Sequence, residues 1–220
     1  MTVRTARLLF VFLALALAPS AANARPNVDR RGGHMALSLG ASACLPGKAR
    51  CARDDAGDLA PGRTRLGFAF GAELGFRWKY FLLGGAYDFG MFRPDYDIVD
   101  APGYRTAYQQ GVYALLRPML PVWRFDLGVD LAPGFSRQTF RRRDASKEFS
   151  QGFSMRLGPI VHLFVARRVF LGARLSFLVN AHGRTCRDEG ESRVCEKTTA
   201  QDVAGVHQVF FGLVVGGTFL

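Results

Sequence analysis

The sequence predicts an all-β chain, an eight-stranded antiparallel up-and-down barrel that crosses a membrane with its strands. Three observations carry this expectation. Apolar residues alternate with small or polar ones in segment after segment. The connections between those segments are long and short in turn. Hydrophobic content is 49%, yet no apolar run reaches the ~20 residues that a spanning helix needs.

Leu66 to Phe89 shows the pattern most fully. Leu66, Phe68, Phe70, Ala72, Leu74, Phe76 and Trp78 alternate with Gly67, Ala69, Gly71, Glu73, Gly75 and Arg77. Residues two apart share one face of a strand. One face is therefore greasy, and the other is small and sparsely charged. After a tight turn near Lys79, Phe81, Leu83, Tyr87 and Phe89 continue the apolar face. Two solvents could meet that face. Packed inward in a soluble sandwich or lipocalin-like barrel, seven large side chains per strand would overfill the interior. Turned outward to lipid, they leave small and paired polar residues to fill a narrow bore. The second arrangement uses every residue.

The remaining elements follow in order. Leu8 to Ala18 is a short apolar run after Arg4 and Arg7, and it precedes an Ala-x-Ala end. This is the pattern of a secretory signal peptide. Cleavage is expected between Ala24 and Arg25, leaving residues 25–220 as the barrel domain. Loss of two arginines and no acids would lower the net charge from +11 by two. Arg25 to Gly33 reads as a polar lead, and Met35 to Ala43 as the first strand. A long loop runs to Arg63, and the Leu66–Phe89 hairpin supplies strands two and three. Arg93 to Gly103 is a second long loop. Strand four spans about Tyr104 to Leu116, with Pro118 to Pro121 as a short turn. Strand five alternates from Trp123 to Phe135, with Arg124, Asp126 and Asp130 on its small face. Arg137 to Phe149 is a basic loop. Strand six turns Phe153, Met155, Leu157, Val161 and Leu163 outward and Ser154, Arg156 and His162 inward. Pro159 cannot donate to a ladder, so a bulge is expected there. Strand seven covers Val169 to Asn180, a second cysteine loop about His182 to Ala200, and strand eight about Asp202 to the last residue. Trp78, Tyr80 and Trp123 fall near short turns, as an aromatic belt requires.

Export makes the four cysteines candidates for disulfides. Four cysteines allow three connectivities. Local bridges Cys44–Cys51 and Cys186–Cys195 are favoured because each closes a short loop of polar and turn-forming residues. Neither spacing matches a zinc site.

With its signal peptide, its alternating strands from Met35 onward and its end VVGGTFL, the chain resembles the small eight-stranded outer-membrane barrels, such as OmpX and the membrane domain of OmpA. The resemblance is architectural and spans the mature chain. It implies residence in the bacterial outer membrane, contact with outer-membrane lipid and lipopolysaccharide, and insertion by the barrel-assembly machinery. In that class the last strand usually ends on an aromatic; here Phe219 is penultimate. Unlike OmpA, nothing follows the last strand, so no peptidoglycan-binding domain is expected.

Candidate chemistry lies in three places. Glu73, Arg77, Asp88, Asp126, Asp130, Arg156 and Arg174 face inward and are expected to form an ion-pair network that plugs the lumen. Strands five and six are neighbours, so Asp126 or Asp130 should pair with Arg156. Arg117 and Arg124 lie nearer the short turns. Arg137, Arg141, Arg142 and Arg143 form a possible site for anionic ligands such as lipopolysaccharide phosphates. The histidines match no metal or acyl-transfer pattern. Lipid A deacylases of similar shape keep a His and a Ser two residues apart, whereas His207 is followed at that spacing by Val209 and His162 by Phe164. No catalytic residue, cofactor or metal is expected. The pI of 10.2 suits rim arginines against anionic headgroups better than nucleic acid. The expected function is non-enzymatic, structural or surface-interacting through the outer loops. A lipid A-modifying enzyme and a narrow solute channel are the alternatives.

Overall fold

A computed structural model describes residues 28–45, 66–92, 104–142, 147–189, 192–197 and 206–219. The signal segment with Ala24 and Arg25, Cys51, Arg143 and the side chain of Arg142 lie outside the described residues. The described residues form nine β-strands: β1 (Gly32–Cys44), β2 (Gly67–Trp78), β3 (Phe81–Phe92), β4 (Tyr104–Val122), β5 (Phe125–Arg142), β6 (Lys147–Phe164), β7 (Val169–Glu189), β8 (Ser192–Lys197) and β9 (Gln208–Phe219).

Eight of them close a barrel. Each strand from β1 to β7 pairs antiparallel with the next, and β9 joins β7 to β1. Closure leaves no sheet edge for lipid to expose. The alternation read in the sequence decides which side chain goes where. Leu37, Leu39, Phe68, Leu74, Phe76, Leu83, Val112, Leu127, Phe153, Leu171, Phe211 and Leu213 are exposed on the outside. Their neighbours Ser38, Glu73, Asp88, Arg117, Asp130, Arg156, Arg174 and Ser176 are buried in the bore. Trp78, Tyr80 and Trp123 are exposed beside the short turns, as the belt requires.

Glycine on the inner face keeps the bore usable. A Cβ on Gly71 would sit 2.5 Å from Arg174 Nη2 and 2.5 Å from Asp88 Oδ1. The ion pair between those two side chains thus occupies space that a larger residue in β2 would take.

Five local expectations need correction. The strand-four turn is not at Pro118–Pro121. β4 continues to Val122, which pairs with Phe125, and the turn is Trp123–Arg124. Trp123 adopts φ 55°, the left-handed geometry that a two-residue hairpin demands of one of its central residues. Arg124 accordingly lies in the turn over the Trp123 ring and not in the bore. The basic segment is mostly strand: β5 runs to Arg142 and β6 starts at Lys147. The second cysteine loop is a hairpin, in which β8 pairs with the far end of β7. The last barrel strand begins at Gln208 rather than near Asp202. Finally, Pro159 causes no bulge. The β5–β6 register runs unbroken through Val129↔Pro159, and the shift between β6 and β7 falls at Gln151/Phe153.

These extensions make the barrel asymmetric. β1, β2, β3 and β9 stop at one level. β4 to β7, capped by β8, continue beyond them as a raised wall on the side opposite the short turns. Cys186 and Cys195 face each other across the β7–β8 hairpin and are bonded, with Cα atoms 4.1 Å apart. Cys44, at the end of β1, is also disulfide-bonded.

Candidate functional site: the bore and the raised wall

The middle of the bore holds the charged residues. Glu73 on β2 is a hub. Arg117 Nη2 donates to its Oε2 at 2.7 Å, Arg156 Nη2 to Oε1 at 2.9 Å, and Arg174 Nη1 to Oε1 at 3.0 Å. Asp88 on β3 accepts from Arg156 Nη1 at 2.9 Å and also from Arg174 Nη2. Asp130 on β5 lies 3.0 Å from Arg156 Nη2 and accepts from Arg117 Nε. Arg156 thus touches three carboxylates from three strands. Asp126 does not meet Arg156. It accepts from Arg77 and, at 2.8 Å, from Nε of Arg30.

The buried set is balanced. Glu73, Asp88, Asp126 and Asp130 face Arg77, Arg117, Arg156 and Arg174, and all eight are buried. Ions this deep persist only when paired and hydrogen-bonded. Matching numbers of each sign supply the pairing, while Arg77 Nη1, Arg117 Nη1 and Arg156 Nε are buried without a hydrogen-bond partner among the described residues.

Toward the short turns, beside the Arg77–Asp126 pair, the filling becomes aromatic. His162 stacks on Phe170 with centroids 4.1 Å apart, and His34 on Phe170 at 5.4 Å. Phe164 meets Phe170 edge-on, and Ile160, Ala36 and Val214 complete this floor. His34 Nε2 stands 3.9 Å from Glu73 Oε2, beyond direct hydrogen-bond reach. The lead before β1 locks over this end. Thr218 Oγ1 donates to the Asp29 carbonyl at 2.8 Å, and Arg168 Nη2 to the Asp29 carboxylate at 3.1 Å. The Arg31 backbone N–H, and secondarily the Arg168 guanidinium, hold the Asp29 carboxyl below its ordinary range.

Above the charges the lining is polar and neutral. Gln138 Nε2 donates to Gln109 Oε1 at 2.7 Å, and Asn180 Nδ2 donates to the same oxygen at 2.9 Å. Ser154 and Ser136 both donate to Asn180 Oδ1, at 2.6 and 2.9 Å. Asn180 Nδ2 also reaches the Val206 carbonyl, and Val206 N–H donates to Gln138 Oε1. These bonds draw the segment before β9 into the mouth. Val206 then packs with Cys44, Phe92, Ala107 and Phe140 as an apolar cap.

One constellation was invisible in the sequence. His182 Nε2 is 2.8 Å from Ser136 Oγ, and its Nδ1 is 2.8 Å from Ser150 Oγ. A serine hydroxyl beside an imidazole is the pairing from which nucleophiles are activated. Here Ser136, Ser150 and His182 are all buried. Ser136 spends its proton on Asn180, which leaves it an acceptor toward His182. The arrangement bonds β5, β6 and β7 to one another and presents no nucleophile to solvent. Among the described residues, no group of three His, Cys, Asp or Glu could hold a metal ion.

The outer face of the raised wall carries the other charged set. Arg137 lies over the Phe149 ring at 3.8 Å, and Arg193 of β8 over the same ring at 5.3 Å. Asp188 accepts from Arg193 Nε at 2.7 Å. That bond, reinforced by the field of Arg137 and Lys147, keeps the Asp188 carboxyl below its ordinary range. Arg137 and Arg141 therefore sit on a strand face, not in a loop.

No known family profile matches the chain, and no curated protein matches it. Solved structures do share its fold. Neisserial surface protein A aligns at TM-score 0.51 and 11% identity, covering 86% of this chain and 97% of that one. The outer membrane protein OprG from Pseudomonas aeruginosa aligns at TM-score 0.52 and 11% identity, covering 88% and 100%. A major outer membrane protein from Thermus thermophilus aligns at TM-score 0.52 and 8% identity, covering 85% and 99%. The closed barrel, its apolar outside and these likenesses together show the fold of the small eight-stranded outer-membrane β-barrels.

Proposed function

We propose that this protein is a closed, non-conducting barrel of the bacterial outer membrane that acts through its raised wall and outer loops, without catalysis. The observation that carries this reading is the filling of the bore. An aromatic floor with the Arg77–Asp126–Arg30 pairs beside it, the Glu73-centred ion pairs, a neutral hydrogen-bonded layer and an apolar cap fill the bore. A conducting pore needs an open polar path; the apolar cap closes one end, and the Phe164–Phe170 stack, with Arg77 and Arg30 paired to Asp126 beside it, fills the other. An enzyme of lipid A needs a nucleophile within reach of the membrane surface. The serine hydroxyls beside His182 are buried under the wall.

Reconstitution into planar bilayers tests the reading. The expected record is flat, and resolved unitary current steps would assign a channel instead. Mass spectrometry of lipid A from cells with and without the protein tests the enzymatic alternative. The expected spectra are identical, and a change in acylation would replace this proposal with a lipid-modifying one.

A further inference from the structure

We propose that the outer face of the raised wall docks the phosphate-bearing headgroup of an outer-leaflet glycolipid. The inference rests on the surface-barrel reading above and names its partner. Two-residue periodicity puts Arg137 and Arg141 of β5 on the face that carries Phe135. Register then assembles one cationic surface across four strands. Arg137 pairs with Gln151, Gln151 with Arg184, and Arg184 with Lys197. Two same-face steps higher, beyond the row of Thr139, Phe149, Cys186 and Cys195, Arg141 pairs with Lys147, Lys147 with Asp188, and Asp188 with Arg193. Six cations thus share this face with the single carboxylate of Asp188 among the described residues.

Position identifies the ligand class. Phe135 and Phe153 face each other across β5 and β6, and both are exposed in the apolar band. Arg137 lies two residues above Phe135, a rise of about 7 Å along the strand. The surface passes from hydrocarbon-compatible to strongly cationic in that one step. Charged headgroups meet acyl chains over the same short distance, so a lipid can satisfy both halves at once. A soluble anion would use only the cations. At the rim of β1, β2, β3 and β9 the exposed side chains among the described residues include Leu66, Phe68, Met91 and His207. Arg137 and Arg193 are braced on Phe149, which lowers the entropy of holding them toward a phosphate. Arginine's fork suits bidentate phosphate contact.

The test uses the folded full-length protein in neutral detergent micelles, titrated with lipid A bisphosphate and with the same lipid after its phosphates are removed. The wild type is expected to bind the bisphosphate selectively. Arg141→Gln, Lys147→Gln, Arg184→Gln and Lys197→Gln together spare the Phe149 stack. At roughly fivefold for each of the four surface cations, this variant is expected to lose roughly 600-fold in affinity while keeping its heat-dependent gel mobility. Asp188→Asn is expected to tighten binding. Equal binding of the dephosphorylated lipid, or unchanged affinity in a folded quadruple variant, would overturn the proposal. Equally effective competition by inorganic phosphate or by a soluble sulfated polysaccharide would also overturn it, by assigning the patch to a free anion or a polymer. None of these failures would open the bore, so they are distinguishable from failure of the non-conducting reading.

Discussion

Arg156→Met is expected to lower the stability of the folded barrel by about 3–5 kcal/mol, the usual cost of removing one partner from a buried charge cluster. The loss is large because Arg156 is shared. It contacts Glu73, Asp88 and Asp130 from β2, β3 and β5. Without it, four buried carboxylates face three buried guanidiniums, and one negative charge is left without compensation. Methionine roughly preserves the volume, so the effect reports electrostatics rather than a cavity. Urea titration of the protein in lipid vesicles, read by gel mobility, measures it. A loss below about 1 kcal/mol would mean that the network is hydrated well enough to dispense with its hub.

Leu213→Arg should impair insertion by about 2–4 kcal/mol, whereas Leu127→Arg should cost only about 0–1 kcal/mol, because the penalty of a lipid-facing cation falls from the midplane to the interface. Leu213 is 68% exposed and pairs with Leu39 and Ala173, midway along β9. Leu127 is equally lipid-facing in type, but it lies two residues from Phe125, where β5 leaves its short turn. The same substitution on the same face thus reads out depth. Equal penalties at both sites would contradict the placement of the short turns at the membrane boundary. Folding yield into vesicles at graded urea concentrations gives both numbers.

How legible this molecule was depends on which solvent each residue meets. Between the two interfaces, lipid outside and packed side chains inside impose opposite demands on alternate residues. The period-2 pattern therefore placed Glu73, Asp88, Asp130, Arg156 and Arg174 on the inner face without error. Above the apolar band the outer face carries Arg137 and Arg141 while the inner face keeps buried Gln138 and Phe140, so the apolar-out pattern fades. Arg137–Arg142 and the Cys186–Cys195 hairpin consequently read as loops although they are strands. Two prolines also sit inside strands. Pro118 stays paired with Phe81 and Pro159 with Val129, while the ladder on the other side of each has a gap at the proline without a shift in register, so neither a turn nor a bulge was needed.

Pairings across distant strands were harder to read. Nothing near Arg30 signals that it crosses 96 positions to Asp126. Ser136 and Ser150 reach His182 only because the lengths of the β5–β6 and β6–β7 connections set one register. Those lengths could not be fixed while the strand ends were misjudged. The same error hid the cationic wall. Arg184, Arg193 and Lys197 join Arg137 and Arg141 only once the second cysteine segment is a hairpin.

The most direct test of the whole account is fractionation of the cell envelope followed by gel electrophoresis with and without boiling. The account predicts recovery in the outer-membrane fraction and a shift in mobility on heating, because a closed barrel resists detergent until its ladders break. Recovery in the soluble periplasm, with identical mobility before and after boiling, would contradict it.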